Sequence, residues 1–426
     1  MLPWLALLVL SSSVSRARAQ QPLAEFLAAA DGQALELREA RVARAQARSQ
    51  VDEARARWLP SFVATAGYTR NEVAVEVSIP TGPTTTQQAV ISPLDQLDLT
   101  LQLNVPIIDV GAWLGFASAE ATVDGADARL EAARTEARLA VVSAYYQVVA
   151  TRALLQAAER SRAAAQANLE RASARRAAEL ASDLDVARAE AEIARSEQQI
   201  ADASLQVALA ERNLEVLTGL APSAGAAPVA VDDLHDPEPL GPSALDALPE
   251  VRAGDADVRA AGLARDAAWA SLAPVVSAFA RERITNAAGF GPNAVWAVGV
   301  QATFTLDFLR PAQIGTRERQ AELAAIRRER ALRTAETRLL DAWSRARASV
   351  ARARAARSQE ASARRARDVA VARLESQLGT QLDVLAAERD LFAAEASRIQ
   401  AEADLAVARA ALEARAHGRV LEGSER

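Results

Sequence analysis

The stretch LDLTLQLNVP, Leu97 to Pro106, decides how the rest of the chain is read. Leu97, Leu99, Leu101, Leu103 and Val105 alternate with Asp98, Thr100, Gln102 and Asn104. A period of two sends successive side chains to opposite faces of a β-strand, so this strand has one apolar and one polar face. Around it lie long runs of Ala, Arg, Glu and Leu, all good helix formers. A chain built for helices needs a reason to carry such a strand.

The pattern recurs. In WAVGVQATFTLD, Trp296, Val298, Val300, Ala302, Phe304 and Leu306 share one face, and Gly299, Gln301, Thr303 and Thr305 share the other. Phe62, Ala64, Ala66 and Tyr68 share a face as well. Strands are expected over about 60–70, 97–107, 274–284 and 295–307. Strands of ~9–12 residues suit a tilted crossing of a bilayer. Apolar outside and polar inside is the pattern of a barrel wall. Eleven of the seventeen aromatic residues lie in or beside these strands, among them Trp58, Trp113, Phe116, Trp269, Phe279 and Phe308. Aromatic girdles border membrane barrels, and a small soluble sheet with an aromatic core is the competing reading. On the membrane reading Phe62, Tyr68, Leu99, Leu101, Leu103, Trp296 and Phe304 face lipid or form the girdle. Four strands cannot close a barrel, since the smallest have about eight. Open edges in lipid leave backbone groups unpaired. The membrane reading therefore requires several copies, and three would supply twelve strands.

Composition narrows the class. Hydrophobic residues make up 50% of the 426, yet aromatics only 4%. The apolar content is mostly Ala with Leu and Val, which packs slim helices closely. All 49 positive charges are Arg, net charge is −6, and both signs are interspersed. No basic block interleaved with aromatics suggests nucleic acid. Cysteine is absent, which excludes thiolate metal sites, disulfides and a lipidated N-terminal Cys. The two histidines, His235 and His417, have no ligand spacing, and no nucleophile–base arrangement or phosphate loop stands out. No enzyme, cofactor or metal is expected. Residues 1–19, an apolar run ending in Ala17-Arg18-Ala19, read as a secretory signal peptide, with a short hydrophobic anchor as the alternative.

The chain repeats one plan. Leu-Asp-Val occurs at 184–186 and at 382–384, an offset of 198. The same offset links Ala144-Tyr145 to Ala342-Trp343, Asp109 to Asp307, and Leu214 to Leu412. Several separated matches at one offset indicate an internal duplication. Upstream, Pro60 matches Pro274 at an offset of 214, so copy one carries about sixteen extra residues. The Pro- and Thr-rich segment Ile79–Gln96 is their expected home, read as a loop. The first repeat spans 20–218, with a β-hairpin over about 60–107 and a helical hairpin over about 112–218. The second spans 250–416, with a β-hairpin over about 274–307 and a helical hairpin over about 312–416. Residues 219–249 form a linker and 417–426 a tail. Each repeat opens with a helix, about 23–57 and about 249–272.

Each helical hairpin has a long first arm, about 112–180 and 312–378. At 1.5 Å per residue such an arm extends ~100 Å. The turns are legible. Gly379 is expected at a helix C-cap with positive φ, followed by Thr380 as N-cap with Asp383 three residues on. Ser182 and Asp185 hold the same places in copy one.

Taken in order, these features resemble the TolC-like outer-membrane efflux proteins. The resemblance rests on Leu59-Pro60 and Leu272-Ala273-Pro274, on Val105 to Gly111, on Leu217-Thr218-Gly219 and on the two Leu-Asp-Val tips, and it covers about 23–416. Asp307 departs from the pattern by lacking the glycine that follows Asp109 as Gly111. The resemblance implies a homotrimer whose twelve strands form one outer-membrane barrel, continued through the periplasm by a twelve-helix α-barrel. It implies a passive exit duct for a tripartite efflux or type I secretion system, working with a periplasmic adaptor (membrane fusion protein) and an inner-membrane pump in a Gram-negative cell. Loops 71–96 and 284–294 would face outside. The tip residues Ser182, Asp183, Leu184, Asp185, Gly379, Thr380, Leu382 and Asp383 would meet the adaptor, and Asp183, Asp185 and Asp383 would contribute to an acidic gate. The alternative is a soluble periplasmic coiled-coil adaptor or tether, which explains the helices but not the strands.

Overall fold

A computed structural model describes residues 22–417, apart from 81, 83, 224–233, 239–241 and 306. The segment read as a signal peptide and the tail beyond 417 lie outside these residues, as does Leu306. The described chain runs α1 (Leu23–Gln33), α2 (Leu35–Ala56), β1 (Ser61–Arg70), β2 (Val75–Pro80), β3 (Thr86–Ser92), β4 (Asp95–Ile108), α3 (Val110–Ala177) and α4 (Asp183–Thr218). After a 3₁₀ turn at Pro242–Ala247 come α5 (Pro249–Ala270), β5 (Val275–Thr285), β6 (Ala294–Thr303), α6 (Leu309–Glu375) and α7 (Gln381–His417). The expected helix at 23–57 is broken at Ala34, whose extended backbone (ψ 125°) interrupts the helical run. None of the described helices is long and apolar enough to cross a membrane.

The chain divides into two compact units. One comprises residues up to 41, 129–251 and 332 onward, and the other 42–128 and 252–331. In the first unit the core is thin and rich in alanine. Phe26, Leu27, Val141, Val142, Val148 and Leu214 pack together with Ala210 and Ala414. Ala150 and Ala157 on α3 meet Ile399 and Ala403 on α7. Val350 and Ala353 on α6 meet Leu405 on α7. Such small side chains let helices approach closely. Ion pairs between helices supplement this core. Glu402 on α7, only 2% exposed, lies 2.6 Å from Arg357 on α6 and 2.7 Å from Arg398 one turn back on its own helix. Glu192 on α4 lies 2.5 Å from Arg389 on α7. The carboxylates are thus not confined to solvated faces, as the sequence alone suggested.

The second unit carries one four-stranded antiparallel sheet in the order β1-β4-β5-β6. The central pair, β4 with β5, joins the two repeats. Its register places Phe62 opposite Leu103, Ala64 opposite Leu101, Ala66 opposite Leu99 and Tyr68 opposite Leu97. Leu101 in turn faces Glu282, and Glu282 faces Trp296. One face of the sheet is therefore a field of Phe, Leu, Val, Ala, Tyr and Trp, with Glu282 its one charged residue short of the strand ends. Gln102, Thr100, Arg281 and Arg283 share the other face.

Two expectations change here, and Phe279 takes a face that the sequence did not assign. The segment Ile79–Gln96 is not all loop, because β2 and β3 pair as a separate two-stranded sheet within it. The last strand stops at Thr303 rather than 307, because its partner β5 begins at Val275 opposite Thr303. Phe304 is exposed but lies beyond the ladder. Phe279 does not belong to the apolar face. It pairs with Gly299 on the polar face, and a Cβ at Gly299 would come within 3.1 Å of its ring.

Candidate functional site: the hairpin tips and the amphipathic sheet

The two tips, both in the first unit, share their turn and capping bonds at the offset of 198. At the end of α3, the Leu180 amide donates to the Arg175 carbonyl at 2.8 Å and the Glu179 amide to Arg176 at 2.9 Å. At the end of α6, Leu378 donates to Arg373 at 2.8 Å and Gln377 to Leu374 at 3.2 Å. This pair of bonds is the Schellman arrangement, which needs one left-handed residue. That residue is Glu179 in one tip (φ 60°) and Gln377 in the other (φ 63°). Gly379 is therefore not the left-handed cap. It serves close approach instead, since a Cβ there would lie 3.0 Å from Arg373 Cβ.

The helices that follow begin with reciprocal caps. The Asp185 carboxylate accepts from the Ser182 amide at 3.0 Å and from its hydroxyl at 2.8 Å. Asp383 accepts from the Thr380 amide at 2.9 Å and hydroxyl at 2.8 Å. Each Asp amide donates back to the hydroxyl. Charge-assisted bonds from the backbone amide first, then from the hydroxyl, hold both carboxyls below their ordinary range. Asp183 pairs with Arg176. The three acids named for a gate thus already have partners within their own tips.

Four leucines stand out from the tips: Leu180, Leu184, Leu378 and Leu382, the most exposed being Leu378 at 73%. Leu180 and Leu378 were not singled out in the sequence, although they too match at 198. Gln381 was also passed over. It is 7% exposed, and neither side-chain amide atom has a partner among the described residues.

At the other functional surface, Leu97, Tyr68 and Trp296 are well exposed on the apolar face. The Tyr68 hydroxyl donates to Asp95 at 2.8 Å, and Arg70 pairs with the same carboxylate at 2.7 Å. A ring on the apolar face with its hydroxyl tied to charges at the strand end suits a membrane–water boundary.

A sheet apolar on one face and polar on the other has the pattern of a membrane-barrel wall, and the same chain carries long helical hairpins capped at both tips. The chain belongs to the outer membrane efflux protein family, whose match covers residues 27–220 and 240–416. No curated protein sequence matches it. Among solved structures it is similar to CusC (17% identity, TM-score 0.79, covering 92% of this chain and 91% of that one). It is also similar to the CmeC outer membrane channel of Campylobacter jejuni (14%, 0.78, 95% and 88%) and to the MtrE outer membrane channel of Neisseria gonorrhoeae (19%, 0.77, 96% and 92%). These likenesses establish the shared fold. The adaptor reading finds no support in the family match.

Proposed function

We propose that three copies of this chain form a passive exit duct through the outer membrane, fed by a periplasmic adaptor and an inner-membrane pump. The observation that carries the reading is the open amphipathic sheet. Strands β1 and β6 each have one unpaired edge, and unpaired edges do not persist in lipid. Because β1 and β6 lie at opposite edges, joining β6 of one copy to β1 of the next is a head-to-tail contact that closes into a ring. Two of the helices are complementary in charge. α6 carries seventeen arginines against eight acidic residues, and α4 eight acidic residues against three arginines. Leu205, Leu209 and Val216 on α4 and Leu340 and Val369 on α6 are exposed in the single chain, as expected of faces that neighbours cover.

The tips Ser182–Asp185 and Gly379–Asp383 are the proposed adaptor contact, with Leu180, Leu184, Leu378 and Leu382 as its apolar anchors and Asp183, Asp185 and Asp383 as the acids nearest a gate. The duct needs no cofactor, no nucleic acid and no lipidated cysteine. Chemical cross-linking of outer-membrane fractions and single-channel recording test the reading together. A cross-linked trimer that conducts is expected. Recovery as a soluble monomer after export would overturn it. For the gate, D183N/D185N/D383N should change conductance or cation preference, and an unchanged channel would remove those residues from the role.

A further inference from the structure

The second unit contains a recess of about 830 Å3 where β5 begins and where α3 and α6 start. Its walls are mostly small side chains, with Gly115 and Ser118 on α3, Ala267 and Ser271 on α5, and Thr316 and Gln320 on α6. Three arginines line it: Arg57, Arg310 and Arg317. Several arginines elsewhere in the unit are paired with a carboxylate. Arg44 pairs with Asp127, Arg259 with Asp124, Arg283 with Asp98 and Arg328 with Asp255. Arg310 donates to the Ser271 carbonyl and lies 3.9 Å from Asp307. Arg317 bonds only the neutral Gln320, at 2.9 Å. Neither Arg57 nor Arg317 has a carboxylate partner among the described residues. The one acid lining the recess, Asp109, is engaged by the Ala112 amide at 2.8 Å. Val110 and Leu309, the first residues of α3 and α6, also line it, and the Asp109 and Asp307 carboxylates cap those two helix N-termini.

The recess opens on the polar side of the sheet. Val275 in its lining shares alternation with Ser277, Arg281 and Arg283. Trp113 and Trp269 come two residues after Gly111 and Ala267, about 200° around their helices, so the aromatic side chains lie on the far faces. A volume within the usual range for small-molecule sites and three arginines against one lining carboxylate select one kind of guest.

We propose that this recess binds anionic solutes, small molecules bearing a phosphate, sulfonate or carboxylate group, on the wet face of the duct. The inference rests on the duct reading for why solutes arrive there, but the chemistry of the recess stands apart from it. The test is calorimetry on the detergent-purified full chain at low salt, with inorganic pyrophosphate as the probe. The wild type should bind, and R57Q/R317Q should weaken binding at least about tenfold, as loss of two charged contacts requires. R317Q alone should weaken it by a smaller factor, R57K/R317K should restore most of it, and R319Q, whose arginine pairs with Glu322 outside the recess, should leave it unchanged. A wild type that does not bind, or an R57Q/R317Q variant that binds as well, overturns the proposal. Bilayer conductance of the same samples separates the two readings. A conducting channel without pyrophosphate binding refutes the recess alone, and binding without conductance refutes the duct alone.

Discussion

Glu179 and Gln377 hold a backbone conformation that side chains other than glycine enter at a cost of roughly 1–2 kcal/mol. Replacing them together with glycine should raise thermal stability of the tips, by on the order of 1 kcal/mol per site once the extra freedom of glycine in the unfolded chain is subtracted. Hydrogen exchange of the Leu180 and Leu378 amides measures it, and faster exchange in the variant would contradict it. The capping acids predict a pH response. Both carboxyls are held below their ordinary value of 3.8, so their stabilisation is complete above that value and is lost as pH falls through the depressed one. Protection of the tip amides, with exchange corrected for its intrinsic pH dependence, should be flat from neutrality to about pH 4 and fall below it, and D185N/D383N should abolish the dependence. The caps were legible because Ser-x-x-Asp and Thr-x-x-Asp are local chemistry. The left-handed residue was not, because a Schellman turn fixes its place by hydrogen-bond geometry and here admits Glu and Gln where glycine is the usual sign.

Helices and strands differ in how much of their arrangement a sequence exposes. The long arms were placed to within a few residues because Ala, Arg, Glu and Leu continue until a cap ends them. The β2–β3 pair was hidden by Pro80, Pro83 and a run of threonines, which read as turn. The ion pairs that tie α6 to α7 were not legible at all, since they depend on which helical faces meet. They carry a prediction. In R357A/R398A, Glu402 keeps its burial and loses both cations, and stability should fall by about 3–5 kcal/mol. E402L, which removes the buried charge itself, should cost far less, and chemical denaturation compares the two. Equal losses would mean that the pairs act only through packing.

At the scale of the molecule, the alternation in β4 decided where the chain resides. Leu101 sits mid-strand on the apolar face and Thr100 beside it on the polar one. L101R should lose about 2–4 kcal/mol if it lies near the bilayer midplane, and yield of folded protein in the outer membrane should drop accordingly. T100R places the same charge on the wet face and should assemble normally, so equal yields would undo the assignment of faces. The open sheet edges were foreseeable from the strand count, whereas the recess lined by Arg57, Arg310 and Arg317 was not. It gathers residues from four separate elements whose side chains mean nothing singly.

The duplication of the tips has a consequence for counting. In the proposed trimer, two tips per chain would present six nearly identical turns, and a partner that reads only the shared Leu, Schellman turn and cap would find six equal footholds. The copies differ where Arg176 and Asp183 form a surface ion pair in one and Leu374 and a buried Gln381 replace them in the other. A partner that reads that difference finds three of each kind. In the proposed assembly the number of equivalent footholds then depends on two side chains per repeat, and giving both repeats the same pair (R176L/D183Q) should turn three of each kind into six alike, read as the adaptor-to-channel ratio of the purified complex.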